Sequence, residues 1–207
     1  ASSHGDGSGF SAALSLRPVG GEGRPYYKAT VHLTGTPVAS TGYQSILQPG
    51  SSTITAQNAY REVLFHGPCL QVIQRLIGLD RRGGLAEVRS TPPGEWLAAT
   101  PPGATWLFDP GLVDSALQML LLWAHVTRGE LALPNRIGRV GRFGTGPFVS
   151  GRMHFLAHPD QAPGLGKADI AFVDPEGQLR LIVEEVECTT SAALNRLGGG
   201  WKGKICV

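Results

Sequence analysis

Asp114 and Gln118 stand four residues apart in a segment, 109–128, that is otherwise almost wholly apolar. On a helix of 3.6 residues per turn they share one stripe, a single turn apart and within hydrogen-bonding reach. A carboxylate held near a helix N-terminus suits acid–base work. Burying one costs on the order of a few kcal/mol unless it is satisfied, so its presence asks for a reason. A structural reason competes with the chemical one: Asp114 could help cap its own helix or face a wet groove. His66, in the run Phe65-His66-Gly67-Pro68, is the second candidate. It suits a general base or a donor to a substrate oxygen; it suits a plain surface-loop histidine as well. His125 shares the Asp114 stripe, but about 16 Å of helical rise separates them, too far for a direct pair. His154 and His158 flank a strand end and, with His4 in the polar lead, read as solvated; His32 falls on the polar phase of a strand. Cys69 lies in apolar surroundings with no evident base, which favours a packed thiol over a nucleophile.

Other chemistries leave no trace. There is no Gly-x-Ser-x-Gly, no Walker loop and no dinucleotide fingerprint between a strand and a helix. Cys69, Cys188 and Cys206 are odd in number and far apart, which argues against a disulfide framework and for a reducing compartment. No His/Cys cluster has zinc spacing. A net charge of +2 with 16% charged residues gives no basic footprint for nucleic acid. The strongly apolar stretch from Ala116 to Val126 is too short to cross a bilayer. The opening Ala-Ser-Ser-His carries no initiator Met and no signal sequence, so the chain reads as a piece of a longer cytoplasmic polypeptide. Its 207 residues, 42% of them hydrophobic, suffice for one domain or one domain with part of another.

The elements that must position Asp114 follow from pattern. Asp109 is a good N-cap, Pro110 suits the first helical position and Gly129 a helix end, so 109–128 is expected to be one helix. It is apolar nearly all round and therefore belongs at the centre of the fold. A shorter helix is expected over 56–64, capped by Thr53 or Thr55 and stopped by Gly67-Pro68. Residues 69–80 fit strand or helix equally. Arg81-Arg82-Gly83-Gly84 is a turn and 85–89 a returning strand. Runs at 137–143, 148–156, 168–173 and 178–187 read as strands, the last two joined by the turn Asp174-Pro175-Glu176-Gly177. Phe10–Leu16 and Tyr26–Leu33 read as a hairpin, and 34–55 as a Gly/Pro/Ser/Thr-rich segment joining two units. The whole is α+β, a buried helix with antiparallel strands.

Several runs resemble one family. Tyr60-Arg61-Glu62-Val63-Leu64-Phe65-His66-Gly67-Pro68 is similar to the segment that opens the second hot-dog fold of polyketide-synthase-type dehydratases. Asp109-Pro110-Gly111-Leu112-Val113-Asp114, with Gln118, is similar to their His-Pro-x-x-Leu-Asp-x-x-x-Gln helix, and Leu133-Pro134 to the strand after it. Glu187-Cys188 followed by Ala193-Leu194-Asn195 looks most like the dehydratase-like domain of polyunsaturated fatty acid synthases. The resemblance implies a double hot dog, in which each unit wraps an antiparallel sheet round a long helix. Residues 56–197 would be the second unit, 10–55 the terminal hairpin and linker of an incomplete first, 1–9 a flexible lead and 198–207 a tail. It makes Asp114 the catalytic acid and Gln118 its partner, and puts His66 where many members carry a substrate-contacting Tyr. Gly67, Pro68, Leu117 and Leu121 would line the substrate tunnel. The implied reaction is dehydration of a 3-hydroxyacyl thioester to the trans-2-enoyl product. No metal or redox cofactor is implied in the domain; phosphopantetheine on an acyl carrier protein would carry the substrate. Implied partners are that carrier and other domains of the same synthase, without nucleic acid or membrane; a homodimer is compatible. The sequence departs from the family at Asp109, where a His is usual, and at Leu70, where an aromatic is usual. None of the six histidines is read as satisfying the first unit's His-x-x-x-Gly-x-x-x-x-Pro segment. A non-catalytic acyl-binding or scaffolding module therefore stands as the alternative, with a hot-dog thioesterase as a third reading.

Overall fold

The computed structural model describes residues 9–20, 23–45, 47–159 and 161–197, so the expected lead at 1–8 and tail at 198–207 lie outside the described residues. The chain divides into two compact units, with the boundary between Val38 and Ala39. The first holds β1 (Gly9–Leu16) and β2 (Tyr27–Thr34), paired antiparallel from Gly9 opposite Thr34 to Leu16 opposite Tyr27. Phe10, Leu14, Leu16, Tyr27 and Leu33 all remain exposed. The expected hairpin is present; two strands alone cannot cover an apolar face.

The second unit is built round one helix. A helical turn, α1 (Ala56–Asn58), is capped by the Thr55 hydroxyl and passes into a π turn over Ala59–Val63. Its signature is the bond from the Leu64 N–H to the Ala59 carbonyl, 2.8 Å. The expected α-helix over 56–64 is thus a hybrid, and Thr55 rather than Thr53 caps it. The ambiguous stretch 69–80 resolves into a 3-10 turn at Pro68–Leu70 and β3 (Ile73–Asp80). Then come β4 (Gly83–Arg89), α2 (Pro110–Arg128), β5 (Leu131–Arg136), β6 (Arg139–Arg142), β7 (Ser150–Ala157), β8 (Leu165–Val173) and β9 (Leu179–Ser191). The sheet is antiparallel in the order β3-β4-β7-β8-β9-β5, and β6 also pairs with β9. The strand expected over 137–143 is shorter, and Pro134 sits in a strand of its own. That strand pairs with β9 alone, so the missing proline N–H costs no ladder bond on its other side.

α2 starts and stops as its sequence requires. Asp109 accepts from the N–H groups of Gly111 and Leu112, and Gly129 closes the helix in a left-handed conformation at φ 68°. The helix packs against β3, β4, β5, β7, β8 and β9. Met119, Leu120 and Leu122 are fully enclosed, with Phe155 and Phe172 from the sheet among them. At roughly 25 cal/mol per Å² of apolar surface removed from water, this all-round burial is the main force fixing α2 in place. Residues 39–55 contain no long strand. They hydrogen-bond along the second unit through Tyr43 to Gly177, Thr41 to Leu179 and Gly50 to Leu79.

That segment has a consequence for His154, which the sequence placed in solvent. On β7 the residues Met153, Phe155 and Ala157 face the helix, leaving His154 on the other face, where the Tyr43 ring covers it at 5.1 Å between centroids. Burial, helped by the Arg152 charge, pushes its imidazole down to about 4 from an ordinary 6.5. The unfolded chain therefore binds a proton between pH 6.5 and about 4 that the folded chain does not. Stability is full above pH 6.5 and declines as the pH falls through this window. Denaturant melts between about pH 7 and 4 should show that decline, and His154→Gln should flatten part of it. An equal pH slope in the variant would assign the loss to other groups. His158, also read as solvated, pairs with Asp169 at 2.9 Å and is partly exposed.

Candidate functional site

Asp114 begins the second turn of α2, and the capping reading fails because Asp109 fills that role. Its Oδ2 accepts from Gln118 Nε2 at 2.7 Å. The other amide hydrogen of Gln118 goes to the Leu70 carbonyl at 2.8 Å, and its Oε1 accepts from the Tyr60 hydroxyl at 2.8 Å. Tyr60 in turn accepts from the Ile73 N–H at 3.1 Å. Gln118 is completely buried, so each of these bonds replaces water that cannot enter. The three bonds also fix which end of the amide faces Asp114: only its nitrogen can donate to Leu70.

His66 completes the cluster. Its Nε2 lies 3.4 Å from Asp114 Oδ2. The ring stacks on Phe65 at 4.6 Å, and its carbonyl accepts from Gln71 Nε2 at 3.0 Å. The side chain is buried, not loop-exposed as one reading of the sequence had it, and its Nδ1 has no partner among the described residues. Burial lowers its pKa below the usual histidine range; the neighbouring Asp114 charge opposes this without reversing it. The imidazole is therefore neutral at neutral pH. Burial likewise holds the Tyr60 phenol well above its ordinary range, so it acts as a hydrogen-bond donor. Asp114 is 26% exposed, and its Oδ1 has no partner among the described residues. The cluster is a carboxylate with one oxygen pinned and one available, beside a neutral imidazole, on the wall of an apolar core.

The structure brings Asp114, Gln118 and His66 together from α2 and the turn after α1. Gly67 and Pro68 follow His66 on the same turn, half-buried and exposed respectively. Leu117 is partly buried against the core and Leu121 lies within it at 2% exposure. Tyr60 was quoted in the sequence only as part of a motif. A buried tyrosine needs a hydrogen-bond partner, but nothing in sequence names one 58 residues away.

Residues 39–197 match the family model described as the polyketide synthase dehydratase N-terminal domain, beginning where the second compact unit begins. The chain belongs to that family. One curated relative of this chain is a subunit of the polyunsaturated fatty acid synthase of Thraustochytrium sp.. It is 33% identical over 122 residues, which make up 56% of this chain and 4% of the relative. Among solved structures, the dehydratase domain of RzxB from Pseudomonas fluorescens superposes with a TM-score of 0.62 at 16% identity, covering 90% of this chain and 66% of that one. The dehydratase domain from the CurF module of curacin polyketide synthase gives 0.62 at 15%, covering 91% and 66%. The shared fold is the hot dog, a long helix wrapped by antiparallel sheet. This chain spans less than two thirds of each of these relatives.

The dehydratase motif sought in the first unit has a look-alike in the second, which corrects the sequence reading. His125, Gly129 and Pro134 do reproduce the letters of His-x-x-x-Gly-x-x-x-x-Pro. Here, however, His125 is exposed in the last turn of α2, Gly129 is its left-handed cap and Pro134 belongs to β5. The spacing is that of a helix end, and its histidine stands far along α2 from Asp114.

Proposed function

We propose that the chain carries the acid side of a dehydratase site in a multifunctional polyunsaturated fatty acid or polyketide synthase. The substrate is a 3-hydroxyacyl thioester on the phosphopantetheine of an acyl carrier protein, and the product the trans-2-enoyl thioester. A base removes the α-proton, the electrons of that C–H bond form the C=C bond, and the β-C–O bond breaks. Asp114, in its acid form, gives its proton to the departing hydroxyl, which leaves as water. Gln118 holds the carboxyl in place, and the neutral His66 ring offers a hydrogen bond to a substrate oxygen. Gly67, Pro68, Leu117 and Leu121 are assigned to the acyl path. The hairpin 10–33 is assigned to the end of a first hot-dog unit and 56–197 to the second, although the matching family is described by an N-terminal domain. The domain itself takes no cofactor in this reading. Its partners are the carrier and neighbouring synthase domains, its setting the cytoplasm, and pairing as a homodimer is compatible. No helix among the described residues is long and apolar enough to cross a membrane.

The observation that carries this reading is the unspent Asp114 carboxylate, held by Gln118 and free of any capping duty, in a chain of the dehydratase family. A second reading, a non-catalytic acyl-binding or scaffolding module, is favoured by one fact: His66 is the single histidine paired with Asp114 among the described residues. The purified 207-residue chain is expected to convert a 3-hydroxyacyl-pantetheine thioester slowly or not at all, while its native longer polypeptide forms the enoyl product. Turnover by the chain alone that His66→Ala abolishes would make His66 the base. No enoyl product from a folded, carrier-loaded polypeptide would leave the scaffold in front.

A further inference from the structure

A cavity of about 360 Å³ opens at the N-terminal end of α2, away from Asp114. It is floored by Leu112 and Leu181, walled by Trp106, Phe108 and Phe148, and rimmed by Arg142. The volume falls within the range of small-molecule sites. Leu112 projects about 160° round the helix from Asp114 at roughly 100° per residue, so the two sites use opposite sides of α2.

The lining leaves two things unspent. One is apolar surface: Leu107, Phe108 and Val149 border the cavity and are 72%, 43% and 66% exposed. The other is guanidinium donors. Arg142 is half-buried, makes one hydrogen bond, to the Gly146 carbonyl at 2.8 Å, and has no carboxylate within 4 Å among the described residues. Arg180 is different: it is tied to Asp174 and to the carbonyls of Thr145 and Gly146, and so fixes the loop on which that side of the cavity rests. Arg89 adds a further positive charge to the lining. Of the two lining carboxylates, Asp109 is consumed by Ser90, Gly111 and Leu112, and Glu95 stands at the rim. The helix N-terminus is therefore already capped and is not the anion site. A planar guanidinium with free donors beside an aromatic wall recognises a carboxylate attached to an apolar body.

We infer that this cavity is a second binding site, taking a free fatty acid with its carboxylate on Arg142 and its chain along Trp106, Phe108, Phe148 and Val149. The site is independent of the dehydratase reading of Asp114. Calorimetric titration of the 207-residue chain with decanoate below its micellar range should show saturable binding, with decan-1-ol at least about tenfold weaker. Arg142→Gln should weaken decanoate about tenfold or more, the scale of a charged hydrogen bond, and leave decan-1-ol unchanged. Val149→Glu, at a position 66% exposed on the cavity lining, should weaken it similarly by repulsion. Circular dichroism melts check that both variants are folded. Absence of saturable binding to the folded chain overturns the inference. So does decanoate binding that ignores Arg142→Gln and Val149→Glu, or binding that Asp114→Asn alters more than they do, because that would place the acid on the other side of the helix.

Discussion

Asp114→Asn is expected to slow dehydration by about a hundredfold or more, the usual scale for removing a positioned acid–base group, when assayed in the native polypeptide. Asparagine keeps the shape and can still accept from Gln118, so Leu70, Tyr60 and Ile73 keep their bonds. What is lost is the proton. Because Asp109, and not Asp114, caps α2, the stability cost should stay within about 1 kcal/mol, as for substitutions outside the named destabilising mechanisms. The effect should fall on kcat, with KM little changed, because protonation of the leaving group belongs to the transition state. Quenched assays of enoyl product, paired with thermal melts, separate the two quantities. A rate near wild type in a folded variant would move Asp114 to a structural role and bring the scaffold forward.

Gln118→Leu should have the larger effect on the fold. The substitution conserves volume but removes three bonds at once. It leaves the Tyr60 hydroxyl proton without a buried acceptor, although its oxygen still accepts from Ile73, takes from the Leu70 carbonyl one of its two donors, the Val72 N–H remaining, and frees the Asp114 carboxylate. At about 1 kcal/mol for each of the lost bonds, with up to about 3 kcal/mol for the orphaned phenol donor, a loss of roughly 3 kcal/mol is expected in denaturant unfolding. Tyr60→Phe removes one corner of the same network and should cost about 1–2 kcal/mol by the same reasoning. Its activity should fall through kcat, because Tyr60 touches no substrate and acts by fixing the Gln118 amide. If Tyr60→Phe and Gln118→Leu are each near neutral in stability, the network does not hold the helix against the turn at 60–73.

Much of this arrangement is written locally. The cap at Asp109, the proline after it, the glycine stop at 129 and the unbroken apolar run between them specify one buried helix whatever surrounds it, because each acts on its own backbone turn. The one-turn spacing of Asp114 and Gln118 is local too, and the structure contains that hydrogen bond as the periodicity required. The turn from Asp174 to Gly177 and the hairpin 9–34 follow from pattern in the same way.

Tertiary structure decided what lies between distant segments. His66 is far from Asp114 in sequence, and whether it meets solvent or a carboxylate depends on how the π turn and β3 dock against α2. Tyr60 finds Gln118, His154 is roofed by Tyr43, and the cavity at the start of α2 forms only where the loop before the helix meets the one before β7. The letters His125, Gly129 and Pro134 show the reverse case, a pattern whose meaning changes because it falls at a helix end. Sequence alone determined the helix and its carboxylate, since backbone geometry and burial over a few turns settle those. Packing determined the carboxylate's neighbours, since a buried polar group must be satisfied by whichever partner the fold delivers, at any distance along the chain.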